Sequence, residues 1–359
     1  MVLKVCLQSR HVGARGGLEK WARRIAEGFV KRGAHVDLLT TDAPSLPHVK
    51  THTLSPKHLL SYRKMKGFDA LCQKWQKHHP RDIVFGMDRT SRQTHIRAGN
   101  GVHAAYLQRR LEYENYSSFK AALNPLNRTI LQLEKEAFES PDLKVLFTNS
   151  YMVKHEILQF YNVSPDKIEV IHNGTEWKDQ EESFQSWVEK KPAIAKKFGL
   201  DPSLFHFLFV GNGYERKGLS FLLRALKHLT PKGFHLSVVG KDQKTQKFQA
   251  LTEALGLSKK VRFFGPQSDL TPFYQLSDAL LIPSIYDPFA NVTVEALGMG
   301  LFVVSSKHNG GHEVLHEENG TTIETLSHLD ACIHSLEMAL HSPKTWVRSQ
   351  TIRKSVEHL

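Results

Sequence analysis

Short apolar runs alternate with helix-length amphipathic segments twice along this 359-residue chain, and that double alternation points to two doubly wound parallel sheets. In the first half Val2 to Leu7, His35 to Thr41, Ile83 to Met87, Val145 to Asn149 and Ile168 to Ile171 read as strands. Between them Leu18 to Lys31 carries Leu18, Trp21, Ala22, Ile25 and Phe29 on one helical face, and Lys57 to His78 and Tyr106 to Glu139 are long helical stretches. Phe205 to Gly211 restarts the pattern, and strands follow at Leu236 to Val239, Val261 to Phe264, Ala279 to Ile282 and Leu301 to Ser305. Trp177 to Pro202 is dense in charge and poor in apolar periodicity, which predicts an irregular connection there. The expected layout is therefore a Rossmann-like domain over 1–176, a connection over 177–204, a second such domain over 205–342, and a carboxyl-terminal helix over 343–359 that docks on one of them.

The composition, 40% hydrophobic and 23% charged, is that of a soluble globular protein. Lys4 breaks the apolar start, so no signal peptide is expected, and no segment approaches the ~20 apolar residues that cross a bilayer. Cys6, Cys72 and Cys332 are scattered without metal-ligand spacing, which suits a reducing cytoplasm. Residues 1–175 hold 27 Lys and Arg against 16 Asp and Glu, and residues 176–359 hold 21 against 20, so nearly all of the net +12 belongs to the first half. That asymmetry predicts an anionic partner for the first domain: a phosphorylated or acidic acceptor, or an anionic membrane surface. A merely solubilising basic surface is the other reading. Nucleic acid is not expected, since the basic half carries no helix-turn-helix, zinc or RNP-type signature.

Three loops carry the chemistry. Gly13 to Glu19 follows the first strand and opens the first helix, where Gly16 and Gly17 let backbone come close to a ligand; a tight turn would need glycine regardless. Gly211-Asn-Gly-Tyr-Glu-Arg-Lys-Gly218 has the corresponding place in the second half and adds Arg216 and Lys217 just before a helix, where the helix dipole disfavours a cation unless an anion is bound. Pro283 to Glu295 lies at the carboxyl end of the strand Ala279 to Ile282, and the amides of Ala290, Asn291 and Val292 open a helix read over Phe289 to Met299, so they suit an anion. Asp287 and Glu295, eight residues apart, put one carboxylate in that loop and another about two helical turns on. Acidic pairs at this spacing also arise on solvated helix faces, but a buried strand before the pair and a second apolar strand after it argue for a site. No Asp-x-Asp pair occurs, so no divalent cation is expected at a diphosphate, whose charge the two cations would meet.

Gly16-Gly17-x-Glu19, Asn149-Ser150, Ile171-His-Asn-Gly174, Arg216-Lys217-Gly218 and Asp287 to Glu295 occur in an order that resembles the family 4 retaining glycosyltransferases. Phe209 to Leu219, Val239 to Asp242 and Lys247 to Gly256 are similar in order and character to the second domain of the lipopolysaccharide core glucosyltransferases. The resemblance implies the α/β GT-B fold, two Rossmann-like domains facing across a cleft, and transfer of a hexose, glucose by preference, from a nucleoside diphosphate sugar to a lipid-linked or saccharide acceptor. It implies retention of anomeric configuration, no metal, no cofactor other than a UDP-type sugar as co-substrate, and work at the inner face of the cytoplasmic membrane. Carried over by position, Glu295 binds the ribose hydroxyls, Arg216 and Lys217 bind the diphosphate, Gly211, Asn291 and Val292 line the nucleotide-sugar, and Gly16 and Gly17 approach it from the other domain. Asp287 stands where the family has the catalytic-site Glu that contacts the donor sugar's hydroxyls and is one methylene shorter, and His172 stands where Pro is common. His103, after the turn Ala98-Gly-Asn-Gly-Val102, is the expected active-site histidine beneath the transferred sugar. Arg97, Arg109 and Arg110 either greet an anionic acceptor or form a solvated face. The alternatives are an epimerase of the same fold, or a non-catalytic basic protein that binds membrane or nucleic acid.

Overall fold

The computed structural model describes residues 2–12, 17–114, 116–229 and 233–359, with residues 17–20 as backbone alone. The chain divides into two compact units, Met1–Ile171 and His172–Leu359.

The first unit runs β1 (Lys4–Gln8), α1 (Gly17–Lys31), β2 (His35–Thr40), β3 (Val49–Thr53), α2 (Ser61–His78), β4 (Ile83–Gly86), β5 (His95–Arg97), α3 (His103–Tyr113), α4 (Ser118–Leu123), α5 (Pro125–Phe138), β6 (Val145–Thr148), α6 (Tyr151–Phe160) and β7 (Ile168–Val170). Its seven strands are all parallel in the order β3-β2-β1-β4-β5-β6-β7. β1 and β2 are buried on both faces, and Val5, Leu7, Val36 and Leu38 meet Ala22 and Ala26 of α1 in one core cluster. Tyr106 to Glu139, expected as one helical stretch, is three helices. Pro125 has no N–H to continue a ladder, and Asn124 caps α5 by accepting from the Leu126 N–H at 2.9 Å. Two strands had no signal in the sequence: β3 is a polar edge, Val-Lys-Thr-His-Thr, and β5 has three residues.

The second unit begins with α7 (Trp177–Gln185) and α8 (Trp187–Phe198) and continues β8 (Phe205–Val210), α9 (Leu219–Leu226), β9 (Phe234–Val239), α10 (Thr245–Ala254), β10 (Val261–Gly265), α11 (Thr271–Leu276), β11 (Ala279–Ile282), α12 (Asn291–Gly298), β12 (Phe302–Ser306), β13 (Gly320–Ile323), α13 (Leu329–Leu340) and α14 (Trp346–Ser355). Its six strands, also parallel, run β10-β9-β8-β11-β12-β13. Strand order therefore reverses between β8 and β11, and the loops after these two strands flank the crevice where open α/β sheets hold ligands. Those loops are the Gly211–Gly218 and Pro283–Ala290 segments.

The irregular connection expected over 177–204 is corrected by the structure: 177–198 forms two helices that belong to the second unit. Phe184, Trp187 and Ala195 are buried, too few among the charges to give a legible period. Gln275 of α11 donates to the Ser183 carbonyl at 2.8 Å, Lys191 pairs with Asp278 at 3.0 Å, and Gly199 at φ 62° ends α8 in the left-handed conformation that glycine adopts freely. α14 packs on α12, and the Arg353 guanidinium lies over the Trp177 and Phe184 rings while pairing with Glu181 at 2.7 Å. Among the described residues no helix is long and apolar enough to cross a membrane.

Candidate functional site

The loop after β8 is fixed before any ligand arrives. Tyr214 is buried, donates its hydroxyl to the Gly240 carbonyl at 2.8 Å, and donates its amide to Asp242 Oδ2 at 2.7 Å. At Gly218 the backbone has φ 79°, and a Cβ there would sit 1.8 Å from the Pro283 carbonyl oxygen, so only glycine lets this loop touch the one after β11. The Ile285 N–H donates to the Arg216 carbonyl at 2.9 Å and completes the junction. A Cβ at Gly211 would meet the Lys217 stem at 2.9 Å, so the missing side chain is what lets the lysine lie back along the loop.

Lys217 and Arg216 both reach Asp287. Lys217 Nζ is 2.7 Å and Arg216 Nη1 3.3 Å from Asp287 Oδ2, and Arg216 also donates to the Tyr286 carbonyl at 3.1 Å. Asp287 is itself pinned by backbone, its N–H donating to His308 O at 2.8 Å and its carbonyl accepting from the Gly310 N–H at 2.9 Å. Burial alone would push the Asp287 carboxyl up; the Lys217 and Arg216 charges and the Phe289 N–H outweigh it and hold it below the usual carboxylate range. Two cations against one carboxylate leave the cluster with a surplus positive charge beside the amino end of α12.

α12 opens at Asn291, two residues later than the sequence spacing suggests. Asn309 sets that start: its Oδ1 accepts from the Ala290 N–H at 2.9 Å and from the Gly311 N–H at 3.2 Å. The first amides of a helix have no acceptor within it, so those of Asn291 and Val292 head the helix at the crevice. Asn291 Oδ1 accepts from Asn173 at 2.8 Å, which ties in the Ile171 to Gly174 motif, and His172 pairs with Glu313 at 2.9 Å. Glu295 is half-buried and its Oε2 accepts from the Tyr274 hydroxyl at 2.8 Å. Burial first, and Glu295 second, push the Tyr274 phenol well up, so it stays a donor.

In the first unit His103 begins α3 and is buried. Its N–H donates to Glu134 Oε2 at 3.0 Å and its Nε2 meets Asn127 Oδ1 at 3.1 Å. Glu134 also accepts from Arg89 at 2.9 Å and from the Tyr161 hydroxyl at 2.8 Å. Gly17 is the first residue of α1, and Gly16 lies outside the described residues. Ser150, in the Asn149-Ser150 motif, caps α6 by accepting from the Val153 N–H at 3.2 Å. Arg110 is engaged by Glu114 at 2.6 Å and stacks 3.8 Å from the Tyr116 ring centroid, and Arg109 pairs with Glu112 at 3.0 Å.

Arg216, Lys217 and Asp287 are thus brought into one cluster, with Asn291 and Val292 at the head of the adjoining helix. Sequence reasoning missed Tyr274, Asn309, Asn127 and Glu134. Of these only Asn309, standing before Gly310-Gly311, carried a turn signal. Among the described residues no group of three or more His, Cys, Asp or Glu is placed to hold a metal ion.

The family model described as Glycosyltransferase Family 4 matches residues 15–176, and the model described as Glycosyl transferases group 1 matches residues 205–340. The lipopolysaccharide glucosyltransferase WaaG of Escherichia coli is 27% identical over 322 residues, covering 86% of this chain and 82% of its own length. The crystal structure of WaaG, a glycosyltransferase involved in lipopolysaccharide biosynthesis, superposes with a TM-score of 0.80 at 22% identity over 99% of this chain and 94% of that one. Anabaena HepE in complex with UDP and glucose superposes with a TM-score of 0.62 at 17% identity over 99% and 100%. The two parallel-sheet units are those of the GT-B fold, and the chain is a glycosyltransferase that joins a Glycosyltransferase Family 4 domain to a Glycosyl transferases group 1 domain.

Proposed function

We propose that this glycosyltransferase moves glucose from a UDP-sugar to a saccharide or lipid-linked acceptor of the lipopolysaccharide-core type, with retention and without a metal ion. The observation that carries this reading is the gathering of Arg216 and Lys217 at the switch point of the second sheet, beside the amino end of α12. In the reaction the bond from the anomeric carbon to the diphosphate oxygen breaks and a bond to the acceptor oxygen forms on the same face. The acceptor's proton leaves to a phosphate oxygen of the departing diphosphate. Negative charge grows on that diphosphate, and each cation at ~4 Å contributes on the order of 4 kcal/mol at an effective dielectric of about 20, before desolvation. The incoming diphosphate would then take the place Asp287 holds beside Lys217. Glu295, steadied by Tyr274, takes the ribose hydroxyls, and the Asn291 and Val292 amides and the open backbone at Gly211 complete the nucleotide-sugar contacts. Gly16, Gly17 and His103 keep the sugar-side roles that the family resemblance implies. The named activity of WaaG and the UDP and glucose held by HepE support the choice of donor and acceptor class.

The basic first unit offers a place for work at an anionic membrane. Leu59, Leu60, Phe119 and Leu123 are exposed, 95%, 52%, 70% and 59% respectively. Leu59 and Leu60 precede α2, and Leu123 precedes α5; these two helix starts line one groove through Tyr62, Lys66, Pro125 and Arg128. Lys57, Arg63, Lys64 and Lys120 are exposed around it, and no Asp or Glu occurs over 55–66 or 116–133. Apolar side chains ringed by cations suit the interface of an anionic bilayer at the cytoplasmic face.

Transfer of labelled glucose from UDP-glucose to a truncated lipopolysaccharide core, with and without EDTA, tests the proposal. Product that keeps the donor's anomeric configuration and forms equally in EDTA supports it. Free glucose with no acceptor product, or dependence on a divalent ion, would reject it.

A further inference from the structure

We propose that Asn127 locks His103 in a single neutral tautomer with the proton on Nε2, so that Nδ1 is a hydrogen-bond acceptor for a substrate hydroxyl. The tautomer rests on geometry within the first unit; only the identity of the hydroxyl rests on the reading that His103 serves the transferred sugar.

The Asn127 amide has one orientation. Its Nδ2 faces the Ala121 carbonyl at 3.0 Å, and a carbonyl oxygen can only accept, so the atom that meets it must be the NH2 group. The same Nδ2 lies 3.3 Å from the Tyr116 hydroxyl. Oδ1 is therefore the atom 3.1 Å from His103 Nε2. An amide oxygen has no proton to give, so Nε2 carries it, and a neutral imidazole then keeps its lone pair on Nδ1.

The surroundings oppose a second proton. Glu134 is already engaged by Arg89, the Tyr161 hydroxyl and the backbone N–H of His103. Burial and the Arg89 and Arg110 charges push the His103 pKa down, and they outweigh Glu134 and Asn127 acting the other way. The Tyr106 ring, 5.8 Å away, brings no charge. Asn127 and Glu134 are thus positioning residues: one sets the ring's proton and the other holds the start of α3.

The test is nitrogen-15 NMR on protein labelled at histidine, with the His103 signals identified by their loss in His103→Gln. The expected spectrum at pH 7 shows a protonated Nε2 and an unprotonated Nδ1. A protonated Nδ1, or protons on both nitrogens, would overturn the proposal. Asn127→Leu is expected to release the lock and give a tautomer mixture. Asn127→Asp keeps an acceptor oxygen and adds charge, so it is expected to keep the Nε2 proton and raise the ring's pKa by about 1 unit or more; it remains informative if the leucine variant does not fold. Wild-type ring behaviour in both variants would overturn the role of Asn127. These readouts need neither donor nor acceptor, so they stand or fall apart from glucosyl transfer. Wild-type turnover in His103→Gln would overturn the hydroxyl contact alone.

Discussion

Lys217 Nζ sits 2.7 Å from Asp287 Oδ2, both side chains are buried, and the pair joins the loop after β8 to the loop after β11. Removing the lysine leaves the buried carboxylate with the Phe289 N–H and with Arg216, more distant at 3.3 Å. Lys217→Ala is therefore expected to cost on the order of 3 kcal/mol of stability. It is also expected to lose at least ~10²-fold in turnover. Combining Lys217→Met with Asp287→Asn should recover most of the stability in urea unfolding while leaving turnover low. A double variant as active as wild type would remove the cation from the mechanism.

Tyr274→Phe deletes one hydrogen bond to a carboxylate, the 2.8 Å contact to Glu295, without altering the buried ring. A bond to a charged group is worth about 1.5–3 kcal/mol. The donor KM is expected to rise roughly tenfold or more while kcat changes much less, because ribose contacts act in ground and transition states alike. Initial rates over a donor series check this, and an unchanged KM would count against the role given to Glu295.

Acid should destabilise the second unit through His235. The ring lies buried on β9, its centroid 5.8 Å from that of His206. Burial first, then the His206 and Arg262 charges, lowers its pKa from the ordinary 6.5 to about 4. Below pH 6.5 the unfolded chain binds a proton that the folded chain refuses until about pH 4, so stability falls as pH drops through that window and levels off beneath it. The gap amounts to roughly 3 kcal/mol at most. Urea unfolding of wild type and His235→Leu from pH 7.5 to 4 should show a shallower pH slope in the variant. Parallel slopes would contradict the assignment.

Vesicle binding should depend on charge as well as on apolar contact. Reversing Lys66 and Arg128 to Glu is expected to weaken binding to phosphatidylglycerol vesicles by about 1 kcal/mol or more per site, and added salt should do the same to wild type. Leu59→Ser with Phe119→Ser should weaken binding even at low salt. Binding insensitive to salt and lipid charge would reject this surface.

Much of the fold was readable because parallel strands buried on both faces announce themselves: Ala279–Ile282 is read to the residue. β3 and β5 were not legible, since an edge strand is polar and a three-residue strand has no period. α7 and α8 hid because their few buried aromatics are scattered among charges. At the site, Arg216 and Lys217 were legible because cations at a helix start go against the helix dipole. Their partnership with Asp287, 70 residues on, was not, for spacing along the chain says nothing about which loops a parallel sheet sets side by side. Tyr274 was invisible for the same reason: its ring is core, and only its hydroxyl serves Glu295.

Thermal unfolding of wild type and Glu295→Ala with UDP-glucose, GDP-glucose and ADP-glucose tests the central claim most directly. The account predicts that UDP-glucose at 100 times its dissociation constant adds roughly 2.7 kcal/mol to wild type, that the other two add less, and that the gain largely disappears in the variant. Equal protection of wild type and Glu295→Ala by UDP-glucose, or no protection by any of the three, would contradict it.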